Sequence, residues 1–197
     1  MRGLRSTIDF SFAAVRPEAR LKSAVIIIDV QIGLVKLMQP QLQQPVLSTI
    51  AVLLGKARAS GVPVFFVQHD GAKGHPLEAE SADWAIHPAV LPRADEPVIR
   101  KKASDSFYET RLAKELKARE ITHLIIAGAM TEYCVDTTCR RAITAGFDVT
   151  LVADAHLTRD TPALTAAQII AHHNFVLDGF DAGTHSIRVK PAAEIRF

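Results

Sequence analysis

The amino-acid sequence predicts an α/β fold with a doubly wound parallel sheet, because short apolar runs alternate along it with stretches of helical periodicity. The clearest unit lies within residues 123–155. Residues 124–127 form an apolar run, residues 135–143 carry apolar side chains at helical spacing, and residues 149–153 form a second apolar run. Runs that are apolar throughout are typical of strands buried on both faces. The pattern therefore indicates a strand–helix–strand unit.

The rest of the chain supports the same architecture. Further strands are predicted at residues 24–28, 62–67, 97–100 and 175–177, and further helices at residues 41–60, 107–119 and 161–174. Together with the unit above, these make six strands. Residues 187–197 carry no strong signal for either element.

Length and charge limit the possible functions. A chain of 197 residues, 48% of them hydrophobic, is long enough for one domain with a substantial core. A net charge of +2 without a dense basic block gives no electrostatic reason to expect nucleic acid or a membrane as partner. No apolar stretch has the length of a membrane span. Composition therefore predicts neither a nucleic-acid-binding protein nor a membrane protein.

The N-terminal segment and the cysteines indicate the cellular compartment. Residues 1–22 are basic and form a predicted extension that is either disordered or lies along a neighbouring subunit, and residues 23–197 form the domain. Asp9 interrupts what would be the apolar core of a signal peptide. Two cysteines five residues apart on one helix cannot build a disulfide framework. These features predict a cytoplasmic protein.

Cys134 is the first candidate for chemistry, because it falls in the turn between a buried strand and a helix. A helix N-terminus stabilises a thiolate, and its backbone N–H groups can bind a developing oxyanion. The alternative is that Cys134 is a small buried hydrophobic residue. Cys139 shares a helical face with apolar neighbours, and we interpret it as inert core.

Two more candidates follow other strands. Asp29 comes directly after the run at residues 24–28, where open α/β sheets place groups that bind ligands, although an aspartate there can also be a cap or turn residue. Lys101 and Lys102 follow the strand at residues 97–100. They are either two solvated lysines, or one of them stabilises a thiolate and helps to move its proton.

The loop between residues 69 and 97 is the least regular part of the chain. His69, His75, His87 and Asp70 suggest a metal site, but no two histidines have the H-x-x-x-H spacing of a helical ligand pair. We expect neither a metal nor another cofactor. Trp84 is either a core residue or an aromatic wall for a substrate.

Three ordered motifs carry a resemblance to a known family. They are Asp29-Val30-Gln31 after an apolar run, Lys101 six residues before Phe107, and GAMTEYCVDTTCRRA followed by ADAH at residues 153–156. Over about residues 23–180 the chain resembles the isochorismatase-like cysteine hydrolases, which include nicotinamidases, N-carbamoylsarcosine amidohydrolases, ureidoacrylate hydrolases and streptothricin hydrolases. The resemblance implies a single-domain, Rossmann-like three-layer fold with a six-stranded parallel sheet flanked by helices, and a homodimer or higher homo-oligomer.

The resemblance also implies roles for particular residues. Asp29 would be the general base, Lys101 its charge partner and Cys134 the nucleophile. A cis peptide bond between Ala129 and Met130 would direct the backbone N–H of Met130, beside that of Cys134, at the substrate oxygen. Candidates for the lining of the substrate pocket are Leu34, Trp84, Phe107 and Tyr133.

Two departures from the family pattern narrow the substrate. Nicotinamidases hold a metal through a D-x-H pair, where this chain has Gln68-His69-Asp70, and stack the substrate on an aromatic residue where this chain has Leu34. Isochorismate is disfavoured because that branch needs no thiol and Cys134 is present. Two functions stay open: a metal-free cysteine hydrolase of small amides, carbamoyl compounds or lactams, and a non-catalytic member of the fold that binds a small molecule or a partner protein.

Overall fold

A computed structural model describes residues 22–197, and the extension predicted for residues 1–22 lies outside them except for Lys22. The strands are β1 (Ser23–Ile28), β2 (Val64–His69), β3 (Val98–Lys101), β4 (His123–Ala129), β5 (Asp148–Leu157), β6 (Asp181–Ala182) and β7 (His185–Lys190). The α-helices are α1 (Ile32–Lys36), α2 (Pro40–Ala59), α3 (Leu112–Ala118), α4 (Asp136–Thr144) and α5 (Ala166–Leu177). A π-helical turn (Thr131–Val135) joins β4 to α4.

The strands form one sheet in the order β3-β2-β1-β4-β5-β7-β6. Strands β3, β2, β1, β4, β5 and β7 are parallel to one another. The two-residue β6 pairs antiparallel with β7. The predicted α/β fold with a parallel sheet flanked by helices is confirmed, with one short antiparallel strand added at an edge. None of the helices within residues 22–197 combines the length and the apolar character that a membrane span requires.

Alternate residues of β1 pack into separate layers on the two faces of the sheet. Ile26 and Ile28 belong to the core cluster that includes side chains from α3 and α4. Val25 and Ile27 belong to the cluster that includes side chains from α2. Because neighbouring strand residues point to opposite faces, an uninterrupted apolar run is what a strand covered on both sides requires. Such uninterrupted apolar runs are what made the central strands predictable from the sequence.

Near the C-terminus the sequence prediction is wrong in two places. The apolar triplet at 175–177 is the end of α5, and three apolar residues cannot by themselves distinguish a strand from a helix. This helix begins at Ala166, because Thr165 caps it by accepting a hydrogen bond from the Gln168 backbone N–H, and not at Thr161. The sixth parallel strand is β7, in the region that had no strong signal.

The difficulty with β7 has a physical cause. It pairs with β5 on one side and only with the two-residue β6 on the other, and just one of its six residues is buried. An edge strand of this kind carries polar side chains and lacks the continuous apolar run of a central strand.

The sheet brings the candidate residues to one edge. Asp29 follows β1, Lys101 ends β3, and the π-helical turn follows β4. All these strands are parallel, so their carboxyl ends lie at the same edge. Gly128 permits close approach of β4 to β1, since its φ is +134° and a Cβ atom there would lie 2.0 Å from the carbonyl oxygen of Ile28.

Candidate active site

Two buried side chains, Asp29 and Lys101, meet the partly buried Cys134 at the carboxyl edge of the sheet. The ammonium of Lys101 lies 2.7 Å from Oδ2 of Asp29 and donates a hydrogen bond to Sγ of Cys134 at 3.1 Å. It also donates to the carbonyl oxygen of Ala103 at 2.9 Å. The side chains of Asp29 and Lys101 are both fully buried. The structure therefore brings together an acid, a cation and a thiol from three separate strand ends.

Lys101, and not Lys102, faces this cluster. Lys101 is buried at the end of β3, whereas the neighbouring Lys102 is exposed. Burial by itself lowers the pKa of Lys101, but the negative charge of Asp29 and the contact with Cys134 outweigh it and hold the pKa above its usual value. The lysine is therefore an ammonium at any pH where the protein works.

Asp29 has an unusual backbone conformation. Its φ of 49° lies in the left-handed region, where aspartate is one of the few tolerated non-glycine residues. Its backbone N–H donates to the carbonyl oxygen of Val67 in the adjacent β2 at 2.9 Å. The Oδ1 atom is buried and has no hydrogen-bond partner among residues 22–197. A buried carboxylate oxygen without a donor is costly, and such groups are typical of functional sites.

Gln31 is a supporting residue to which the sequence analysis gave no role. Its fully buried side-chain amide donates to the carbonyl oxygens of His69 and Trp84, and its carbonyl accepts the backbone N–H of His69. These bonds tie the segment after β1 to the end of β2. The available signal was its place in the Asp29-Val30-Gln31 motif, where a polar residue directly follows a buried strand.

Cys134 lies in the π-helical turn that immediately precedes α4. Burial, followed by the negative charge of Asp29, raises the pKa of its thiol to about 12, and Lys101 offsets only part of that rise. This direction opposes the stabilisation of a thiolate that the position near a helix start suggested. Because Asp29 already neutralises Lys101, the sulfur faces a nearly neutral pair in a desolvated site. Such surroundings favour the thiol over the thiolate.

Cys139 is completely buried in the core, as the sequence predicted. Burial, followed by the negative charge of Asp136, raises the pKa of its thiol, and the positive charge of Arg140 offsets only part of that rise.

The four residues predicted to line the substrate pocket differ in burial and in their contacts. Leu34 is buried in a small apolar cluster with Met130 and four other side chains, next to the peptide bond between Ala129 and Met130, which is cis. Tyr133 is 53% exposed. Phe107 is 8% exposed and stacks on Phe147 at 5.8 Å between ring centroids, so it belongs to the core and we withdraw it from the pocket.

Trp84 is half-buried and has two fixed contacts. Its Nε1 donates to Oδ1 of Asp70 at 2.9 Å, and the guanidinium of Arg100 lies 4.9 Å from its ring centroid. Arg100 in turn donates to both carboxylate oxygens of Asp70. A cleft of about 270 Å³ next to this group is lined by Asp70, Arg100, Lys101, Lys102, Ala103, Tyr108 and Glu109. Of Asp29, Lys101 and Cys134, Lys101 borders this cleft, although its side chain is fully buried.

The loop histidines do not converge. His69 and His75 have ring centroids 5.5 Å apart, while His87 accepts a backbone N–H in its own turn. Burial, followed by the positive charge of Lys101, lowers the pKa of His69. Over the stretch from Lys22 to Phe197, no three histidine, cysteine, aspartate or glutamate side chains are grouped as ligands for a metal ion.

Comparisons with known proteins agree with this geometry. A family model described as the isochorismatase domain matches residues 23–177. A streptothricin hydrolase of Streptomyces noursei is 36% identical over 153 residues, which cover 77% of this chain and 59% of that protein. A ureidoacrylate amidohydrolase of Methylobacterium radiotolerans is 29% identical over 140 residues, covering 56% of this chain and 54% of that protein. The chain thus spans little more than half the length of these relatives.

A solved structure is similar over nearly the whole length of both chains. The crystal structure of an isochorismatase from Pseudomonas putida superposes with a TM-score of 0.79 at 32% identity, covering 92% of this chain and 94% of that one. The similarity therefore extends over the α/β fold as a whole.

Proposed function

The chain belongs to the isochorismatase family, and we propose that it is a cysteine hydrolase that cleaves an amide, carbamoyl or lactam C–N bond in a small molecule through a thioester. The observation that carries the proposal is the contact of one buried ammonium with both a carboxylate and a thiol, at 2.7 Å and 3.1 Å. The names of two relatives, a streptothricin hydrolase and a ureidoacrylate amidohydrolase, support the reaction class.

In the first half of the reaction, Cys134 Sγ attacks the carbonyl carbon of the substrate while Asp29 accepts the thiol proton. Because the pKa of the thiol is raised, this transfer accompanies attack and does not precede it. The carbonyl oxygen becomes an oxyanion, for which we propose the backbone N–H groups of Met130 and Cys134 as donors. The C–N bond then breaks, and the amine leaves with the proton from Asp29.

In the second half, water attacks the thioester. Asp29 takes a proton from the water, the C–S bond breaks, and Cys134 leaves as the thiol after the proton returns to it. Lys101 keeps its proton throughout. Its charge compensates the carboxylate in the resting site and the sulfur as negative charge develops there, which is why a permanently charged group serves better than a titrating one.

A panel of small amides, carbamoyl compounds and lactams tests the proposal through release of ammonia or amine from the first two classes and through addition of one water to a lactam. Cys134→Ala should abolish turnover of any compound that the parent hydrolyses. Cys139→Ala is the matched control, because it removes the other thiol from the same helical segment and should leave kcat within about twofold. Turnover that survives Cys134→Ala would refute the nucleophile, and a parent inactive on the whole panel would count against the reaction class.

A further inference from the structure

A chain of buried hydrogen bonds supports the turn that carries Cys134. Oγ1 of Thr131 lies 2.9 Å from Nδ1 of His156, and Nε2 of His156 lies 2.9 Å from Oδ1 of Asn174. Nδ2 of Asn174 donates to the carbonyl oxygen of Ala153 at 3.1 Å. Thr131 is fully buried and His156 is 1% exposed. Thr131 is the first residue of the π-helical turn, three residues before the nucleophile.

The direction of each hydrogen bond in this chain can be assigned. The amide nitrogen of Asn174 donates to a carbonyl, so the oxygen of that amide faces His156 as an acceptor. Nε2 of His156 must therefore carry a proton. Burial lowers the pKa of this histidine to about 4, so the ring is neutral and its Nδ1 is an acceptor. The hydroxyl of Thr131 then donates to Nδ1, and every polar atom in the chain has a partner.

An irregularity in the sheet brings His156 to this position. The pairing of β4 with β5 moves from Ile126 opposite Leu151 to Gly128 opposite His156, so β5 advances five residues while β4 advances two. The three additional residues of β5 form a bulge. Because of the bulge, His156 pairs with Gly128, three residues before the π-helical turn begins at Thr131.

We propose that His156 is a positioning residue, whose hydrogen bond to Thr131 holds the π-helical turn in the orientation that places Cys134 Sγ against Lys101. This inference rests on the proposed function, because orientation matters for a nucleophile. A π-helical turn is rare and needs support from outside its own backbone. Nucleophilic attack requires near-contact geometry, so a small rotation of the turn costs rate while the fold persists.

The molecule contains a matched control at the other end of the same two strands. Nε2 of His123, at the start of β4, lies 2.8 Å from Oγ1 of Thr150 in β5, and its Nδ1 lies 2.9 Å from Oγ of Ser23. Thr150 is 6% exposed and His123 is partly buried, so this is a second histidine–threonine bond of similar length in a somewhat more exposed place. At about 3.3 Å per residue, the length of β4 separates it from the triad by about 20 Å.

The experiment compares Thr131→Val with Thr150→Val. Each change replaces a hydroxyl by a methyl group of similar size and removes one hydrogen bond to a histidine, His156 in the first case and His123 in the second. We expect similar decreases in the midpoint of urea unfolding. Only Thr131→Val should lower kcat, by about 10- to 100-fold with KM within about threefold, and slow the alkylation of Cys134 by iodoacetamide. Thr131→Ser, which keeps the hydroxyl, should recover kcat to within about threefold of the parent.

Two substitutions of His156 identify which hydrogen bond matters. His156→Asn puts an amide oxygen near the place of Nδ1 and can still accept from Thr131, whereas His156→Gln puts an amide nitrogen near the place of Nε2 and can donate only to Asn174. We expect His156→Asn to keep the higher kcat. The double variant Thr131→Val with His156→Gln should have a kcat no lower than that of the slower single variant, since both substitutions remove the same hydrogen bond.

The inference is overturned if Thr131→Val keeps the parent kcat, if Thr150→Val loses as much, or if His156→Gln outperforms His156→Asn. It can fail separately from the proposed function. Should the parent hydrolyse no amide, the reaction class is wrong, yet the alkylation rates of Cys134 in the same variants still measure whether Thr131 and His156 position the thiol. Equal alkylation rates in Thr131→Val and Thr150→Val would then reject it.

Discussion

Replacing Lys101 by methionine keeps most of the side-chain volume and removes the charge at the centre of the site. In the parent, its ammonium lies 2.7 Å from Oδ2 of Asp29, and both side chains are fully buried. Removal of one partner of a buried ion pair leaves the other charge uncompensated and costs about 3–5 kcal/mol. Domains of this size have stabilities of about 5–15 kcal/mol, so Lys101→Met should fold at 25 °C but unfold at a lower temperature.

The effect on catalysis follows from the same loss. Without the ammonium, the buried carboxylate of Asp29 is uncompensated and no longer held in place by the ion pair, so it is a poorer partner for the proton of Cys134. The developing charge on sulfur and on the substrate oxygen also loses its nearest cation. We expect a barrier higher by about 3–4 kcal/mol, which is a decrease in kcat/KM of roughly 100- to 1000-fold.

Two controls separate charge from packing. Lys102→Ala removes the adjacent, exposed lysine and should keep kcat/KM within about twofold of the parent. The double variant Asp29→Asn with Lys101→Met contains neither charge, and it should recover most of the lost stability in urea unfolding while remaining inactive. An inactive Lys102→Ala beside an active Lys101→Met, or a double variant less stable than Lys101→Met, would refute this reasoning.

Three further outcomes can be measured on the parent protein. Because burial and Asp29 raise the pKa of Cys134 to about 12, its alkylation by iodoacetamide should accelerate about tenfold per pH unit from pH 7 to 9, and a plateau below pH 8 would instead indicate a resting thiolate. EDTA should leave amide hydrolysis unchanged, since within residues 22–197 no side chains are grouped as metal ligands; loss of activity that zinc or another divalent ion restores would contradict this. Light scattering should give the mass of a homodimer or larger assembly, consistent with the 83% exposed Phe175, and a monomer at micromolar concentration would count against it.

The triad could be predicted because sheet topology converts sequence position into spatial position. Asp29 and Lys101 each lie where a strand ends, and Cys134 lies five residues after β4. Parallel strands bring such ends to one edge, so residues 33 and 105 positions from Cys134 in the chain become neighbours. The sequence motif then distinguishes Lys101 from Lys102, and the geometry agrees.

The remaining features depend on three-dimensional surroundings that a linear pattern does not contain. The pKa of the Cys134 thiol depends on burial and on a carboxylate from a distant strand, and its place near a helix start reveals neither. Phe107 lies in the family motif but packs on Phe147 in the core. The position of His156 depends on the bulge in β5. The three additional residues of that bulge leave no periodic pattern in the sequence from which it could be predicted.

The most direct test of the mechanism is the mass of the protein during turnover. The parent is mixed with an amide that it hydrolyses, quenched in acid within milliseconds to seconds, and analysed intact and after digestion. We predict an increase in mass equal to the acyl part of the substrate. Fragmentation of the digested peptides should locate it on Cys134 and not on Cys139. The adduct should form before free acid accumulates and should be missing in Cys134→Ala. Sustained turnover without any adduct on Cys134, in a protein whose Cys134→Ala variant is equally active, would contradict the account.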